Sequence, residues 1–282
     1  MVKTVGGRDD THGNTVHVTD NSETRFTYDA FRPMKIFCLR SGIVSAASLL
    51  SLMPFAYAQT PKSYDCVRAK KPPVIDGKLN DAAWKKASWT DDFVDIEGDA
   101  KPKPRFRTRA KILWDDEYLY VGAELEEPEI RATLTEHDSV IFHDNDFELF
   151  LKPPTGQPGY FEFEINALNT SWDLYLNKPY SEGGKADNSW NIPGLKTAVA
   201  LEGTLNNPSD KDKDWTVEIA IPWAAFSSRL PVQRPVAGTE WRVNFSRVEW
   251  KAGQKREDNW VWSPQGVINM HVPDKWGYVR FR

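Results

Sequence analysis

The segment DFELFLKPPTGQPGYFEFEINALNTSWDLYLN, Asp146–Asn177, decides how this chain folds. It holds three short runs rich in aromatic and aliphatic residues, each alternating with period two, and the first two are separated by the turn chemistry of PPTGQPG at 153–159. Alternation sends successive side chains to opposite faces of a strand. Phe147, Leu149 and Leu151 therefore share one face and Asp146, Glu148 and Phe150 the other; Phe161, Phe163 and Ile165 separate in the same way from Glu162, Glu164 and Asn166. In the third run the pattern predicts Trp172, Leu174 and Leu176 toward the core and Asp173, Tyr175 and Asn177 away from it. The first two runs read as an antiparallel hairpin, which sets their acidic rows side by side.

The rest of the chain from about residue 60 repeats the theme. RAKILWD (109–115), YLYVGAEL (118–125), LKTAVALEG (195–203), WTVEIAIPW (215–223), EWRVNFSRVEW (240–250) and WGYVRFR (276–282) are all strand-like, with loops such as NNPSDKDKD and KAGQKRED between them. Helical character is confined to LNDAAWKKA, Leu79–Ala87, with Asn80 as its N-cap, and to a short turn at IPWAAFSS. The expected fold is all-β, an antiparallel β-sandwich of jelly-roll or immunoglobulin-like kind with one or two short helices. Trp84, Trp114, Trp215, Trp223, Trp241 and Trp276 lie in apolar strands or turns and read as core.

The N-terminal part has a different character. Residues 1–33 are polar and aperiodic and precede a second methionine, Met34. Residues 34–58 have the three parts of a secretory signal: basic Lys35 and Arg40, the apolar run GIVSAASLLSLMPF, and AYA before Gln59. That run is shorter than the roughly twenty residues of a spanning helix. The expected organisation is an extension at 1–33, a signal at 34–58, a leader at 59–71 and one domain at 72–282, in a secreted or periplasmic protein with no membrane association after signal removal. Of the two cysteines, Cys38 falls within the signal and only Cys66 remains, so the domain is held by burial rather than by an internal disulfide. A net charge of −4 and a pI near 5.8 argue against nucleic acid as a partner.

The polar outer rows of the three strands carry the functional question. Such rows are ordinarily polar because water covers them. Lysine is nearly missing here, however, and like charges directly opposite one another are destabilising, which points to a ligand or cation that offsets them. Upstream, HDSVIFHDND (His137–Asp146) mixes imidazoles and carboxylates without the ligand spacing of a zinc motif. Calcium needs only oxygens in a loop, and Asp138, Asp144 and Asp146 are candidate ligands. A nucleophile motif of the G-x-S-x-G type is absent from the sequence. A glycosidase reading would pair Glu148 with Glu164 or Glu162 across a cleft.

Several stretches together resemble the family 9 carbohydrate-binding modules: PPVIDGKLNDAAWKKA, RAKILWDDEYLYVGAELEEPEI, NDFELFLKP, FEIN, WTVEIAIPW and the terminal PDKWGYVRFR. The resemblance runs from about Pro72 to Arg282 and implies a β-sandwich that binds oligo- or polysaccharide without hydrolysing it, partners such as glycoside hydrolases in carbohydrate catabolism, and structural calcium. It also implies site residues. Phe142 falls on the position of the first sugar-stacking ring, Glu148 on a sugar-binding glutamate and Asn166 on an asparagine of the following strand. Glu164 stands where the family has an arginine, and Met270, beside His271, stands where it has the second stacking tryptophan. His143, Trp172, Tyr175 and Trp190 complete the candidate set, the last three as substitute platforms. The alternative is an exported b-type haem protein of a related sandwich, with Met270 and either His137 or His143 as axial ligands; Met270 and His271, adjacent in a strand, would face opposite ways.

Overall fold

The computed structural model describes residues 60–251 and 253–282. The extension expected at 1–33 and the signal expected at 34–58 lie outside the described residues. Among those described, no helix is long and apolar enough to cross a membrane.

Among the described residues, thirteen strands carry the fold. In chain order they are β1 (Ser63–Arg68), β2 (Val94–Asp95), β3 (Thr108–Trp114), β4 (Tyr118–Glu126), β5 (Asp146–Lys152), β6 (Tyr160–Asn166) and β7 (Ser171–Leu176), then β8 (Ala186–Asp187), β9 (Lys196–Glu202), β10 (Asp214–Pro222), β11 (Glu240–Glu249), β12 (Asp258–Val261) and β13 (Gly277–Phe281). One layer runs β8-β7-β6-β5-β11-β13-β1 and the other β1-β3-β4-β10-β9. The layers are antiparallel except at β1, which lies parallel to both its neighbours. Its residues Ser63–Cys66 pair with β13 in the first layer, and Val67 and Arg68 pair with β3 in the second. The segment read as a leader thus contributes the strand that stitches the two layers together, with Cys66 fully buried.

Between the layers Phe147, Leu149, Phe163 and Phe245 meet Ile112, Val121, Val217 and Ile219 in one continuous apolar core. Phe245 stacks on both Phe147 and Phe93, at ring separations of 5.8 and 6.5 Å. The hairpin is antiparallel as expected, with its acidic rows side by side; Glu148 lies directly opposite Glu164 and Leu149 opposite Phe163.

The third strand departs from expectation. Pairing sets Glu164 opposite Trp172, Glu162 opposite Leu174 and Phe163 opposite Asp173, so Trp172, Leu174 and Leu176 lie on the outer face while Asp173 and Tyr175 turn toward the core. The apolar row was a true sign of burial, but of burial in a second cluster. Phe150, Tyr160, Leu174, Leu176 and Trp276 pack together on the outer face, joined by Trp172 and Met270. The first layer is therefore covered in part on both sides, which a single period-two pattern does not distinguish.

The expected helix at Leu79–Ala87 is also replaced. The segment forms turns and one 3-10 turn, Trp84–Lys86, with no side-chain cap. Trp84 is fully buried, and its indole Nε1 donates to Glu218 Oε1 at 2.6 Å. The other oxygen of Glu218 accepts the backbone N–H groups of Asp76 and Gly77 at 2.8 and 2.7 Å. One carboxylate on β10 thus ties down both the IDG motif and the tryptophan after it, and this anchoring overrides helix propensity. The second expected helix exists as the four-residue α1, Trp223–Phe226.

Candidate functional site

Strands β5 and β6 project Asp146, Glu148, Glu162 and Glu164 onto the outer face, where β11 flanks them with Ser246 and Val248. A cleft of about 400 Å³ opens on this face. Glu148, Glu162, Leu174 and Val248 line its inner part, and Phe142, Trp172, Tyr180, Ile268, Met270 and His271 form its walls. Phe142 sits in the 3-10 turn Ile141–His143, held from two sides: its N–H donates to Glu164 Oε2 at 3.0 Å, and its carbonyl accepts from the Trp250 indole at 2.8 Å. Its ring lies 6.4 Å from that of Trp172, tilted by 33°. Tyr180, half exposed in the turn after β7, meets the His271 ring edge-on at 4.6 Å.

The four carboxyls are all buried. Glu148 accepts from the Ser246 hydroxyl, and Asp146 Oδ1 accepts from Val248 N at 3.0 Å. Asp146, Glu148 and Glu164 each offer an oxygen within 4.8 Å of the others. Asp146 Oδ2 and Glu162 Oε2 are buried with no hydrogen-bond partner. Burial disfavours the charged form of each group. It pushes Glu148 up to about 7 and raises Asp146, Glu162 and Glu164 well above the carboxylate range, with neighbouring carboxylates adding to the rise. Burial also depresses His271 to about 4, so its imidazole is neutral; its Nδ1 lies 3.0 Å from the Tyr160 hydroxyl and 4.0 Å from Glu162.

Of the residues singled out in the sequence, the structure brings Phe142, Glu148, Trp172, Met270 and His271 together around the cleft, with Glu164 directly beneath Phe142. Met270 and His271 both reach it because residues 269–272 form turns rather than a strand, so the expected opposition of their side chains does not arise. Tyr175 and Trp190 are elsewhere. Both pack against Phe161 in the main core, on the other side of the layer. Asn166 is fully buried and spent internally: its amide donates to Leu134 O and Asp144, and its oxygen accepts from Leu168 and Thr170 N–H, shaping the β6–β7 turn. His143 packs against the Phe142 ring at 4.9 Å, exposed and outside the cleft lining.

The three calcium candidates do not share a cage. Asp144 is consumed by Thr133, Leu134 and Asn166; Asp138 sits beside His137 and Asp173; Asp146 belongs to the β5–β6 group. His137 directs both ring nitrogens at protein acceptors, Ser171 O at 2.9 Å and Asn191 at 2.8 Å. Sequence reasoning missed Tyr180, Ile268 and Asn269 in the cleft lining, since loop residues carry no periodic signal. Glu162, by contrast, was legible as part of the acidic row.

The profile described as carbohydrate family 9 binding domain-like matches residues 75–282. The chain belongs to this family. Among curated proteins, family 9 similarity extends to endo-1,4-beta-xylanase C of Paenibacillus barcinonensis, 36% identical over 147 residues that make up 51% of this chain and 12% of the xylanase. Endo-1,4-beta-xylanase A of Thermotoga maritima is 26% identical over 214 residues, 74% of this chain and 17% of that enzyme. The chain thus spans a small fraction of the length of these relatives. Among solved structures, a family 9 carbohydrate-binding module of Caldicellulosiruptor kristjanssonii in complex with cellotriose aligns with a TM-score of 0.53 at 20% identity, covering 78% of this chain and 94% of that module. This last likeness supports the sandwich fold.

Proposed function

We propose that this protein is a non-catalytic carbohydrate-binding module whose ligand is an oligo- or polysaccharide seated in the cleft on the outer face of the first layer. The observation that carries the reading is the combination found there: the rings of Phe142, Trp172 and Tyr180 stand beside buried carboxylates and the Asn269 amide in one concave site. A pyranose needs this mixture, because its C–H faces pack on aromatic rings while its hydroxyls need hydrogen-bond partners. Tyr180 takes over the second aromatic wall that Met270 does not supply. Family membership, and the cellotriose and glucose held by the Caldicellulosiruptor kristjanssonii module, support the same conclusion.

Hydrolysis is not part of the proposal, although Glu148 lies near 7. An acid–base pair needs environments that push two carboxyls apart in acidity. Here burial raises all four together, and Glu148 and Glu164 approach within 4.8 Å, directly opposite on adjacent strands, with Phe142 N–H capping one of them. The proposed role is capture of polysaccharide for glycoside hydrolases outside the cell.

Titration calorimetry with cello- and xylo-oligosaccharides tests the reading. Saturable binding that is weakened roughly thirtyfold in Trp172→Ala and in Tyr180→Ala is the expected result. Wild-type affinity in both variants would place any sugar site elsewhere.

A further inference from the structure

The acidity of the cleft is more than a sugar hydroxyl requires. Glu148, Glu162 and Glu257 line it, and among the described residues no lysine or arginine does. Asp146 and Glu164 add two more buried carboxyls just behind, and the one basic ring at the site, His271, is held neutral by burial. The nearest buried arginine of β11, Arg247, is spent on Glu127 and Glu249. Glu162 gives a second, independent sign. It is 5% exposed, it lines the cleft, and its Oε2 has no hydrogen-bond partner. A buried acceptor left unpaired is costly, and a cationic donor is the partner that offsets it best. The walls suit the same kind of group, since an ammonium is attracted to aromatic faces such as those of Phe142, Trp172 and Tyr180.

Resting on the carbohydrate-binding reading above, we propose that the ligand is a cationic sugar chain, a 2-amino-2-deoxyhexose oligomer, whose ammonium is held by Glu162 and Glu148. A divalent cation fits less well. Calcium collects roughly six to eight oxygen ligands, whereas this group is surrounded by rings and by N–H and O–H donors from Phe142, Val248 and Ser246 already directed at the carboxylates. In the empty cleft the crowded carboxyls hold protons. An arriving ammonium supplies the positive charge instead, so binding releases protons and weakens with salt.

The full chain is titrated calorimetrically, in EDTA, with a glucosamine tetramer, its N-acetylated counterpart and cellotetraose, each in two buffers of different ionisation enthalpy. The glucosamine tetramer is expected to bind at least about tenfold more tightly than either neutral chain, with net proton release, and Glu162→Gln is expected to reduce that preference by about tenfold, the value of one charge-assisted hydrogen bond. A thermal melt of the variant at the working pH confirms that it is folded; if it is not, proton release and salt dependence in the wild type decide alone. Equal or tighter binding of cellotetraose overturns the ammonium assignment and leaves the carbohydrate reading standing. Binding that appears only when calcium replaces EDTA overturns it in favour of a metal. Failure of all three glycans, with and without calcium, overturns both.

Discussion

Glu148 shows how a single side chain reports on the whole site. In the unfolded chain it titrates near its ordinary value of 4.5, whereas in the fold burial moves it to about 7. Below pH 4.5 both states carry the proton and the group contributes no difference. As pH rises from about 4.5 to about 7 the unfolded chain ionises first, so folding stability falls, and above that range the loss is constant. At 1.36 kcal/mol per pKa unit the loss is on the order of 3 kcal/mol. His271 acts in the opposite sense, since an imidazole lowered from 6.5 to about 4 lends stability that disappears as pH drops through that window. Asp146, Glu162 and Glu164 side with Glu148 and outnumber it. Glu148→Gln, which removes one ionisable member, is therefore expected to melt higher than the wild type at pH 8 and to show a smaller melting difference between pH 5 and pH 8. An unchanged pH profile would show that Glu148 titrates normally. At the same scale, Trp172→Ala or Tyr180→Ala removes one aromatic wall, with an expected loss of about 2 kcal/mol in oligosaccharide binding, roughly thirtyfold in Kd, measured by titration. Asn166→Ala tests stability instead, because its four internal hydrogen bonds hold the turn.

The elements show what could be read beforehand and what could not. The facing of each side chain in strands β5 and β6 was legible, because their alternation is clean and proline punctuates the turn between them. Strand β7 alternates equally well, yet its apolar row faces outward, since Trp276 and Tyr160 offer it a second apolar cluster there. Sequence separation hides that partner: Trp276 lies a hundred residues from the strand it covers. Strand β1 was read as a leader because SYDCVR mixes charge with apolar residues, and its burial comes from parallel pairing with β13 and β3 at the far end of the chain. The Leu79–Ala87 segment has helical composition, but Glu218 binds its tryptophan and the preceding IDG backbone in one grip. Glu218→Ala leaves the Trp84 indole and the Asp76 and Gly77 N–H groups without their acceptor, and a loss of about 3 kcal/mol in urea unfolding is expected. A substitution that unfolds with the wild-type midpoint would contradict that anchoring. Gly77→Ala should also destabilise: its φ is +85°, and an added Cβ would lie 2.6 Å from the Val199 carbonyl carbon.

At the scale of the molecule, the fold class was plain from period-two runs and turn residues, and several residues of the family motifs serve as anchoring points of the sandwich. IDG and its tryptophan meet Glu218, and Asn166 and Asp144 brace a turn. The terminal WG places Trp276 under the cleft, with its indole on the Met270 carbonyl at 2.9 Å. The cleft itself was half legible. Its inner part follows from strand alternation, while Tyr180, Ile268 and Asn269 come from loops whose positions depend on tertiary packing. On the proposed reading this cleft receives a carbohydrate between aromatic walls and buried carboxylates. The most direct test of that reading is an NMR titration of the tryptophan indole N–H signals with an oligosaccharide panel that includes cellotetraose and the glucosamine tetramer. Saturable shifts of the signal from Trp172, which lines the cleft, are expected, while the Trp84 and Trp215 indoles of the interior stay fixed. Saturable sugar binding that leaves the Trp172 signal unmoved, or no saturation with any oligosaccharide, would contradict that reading.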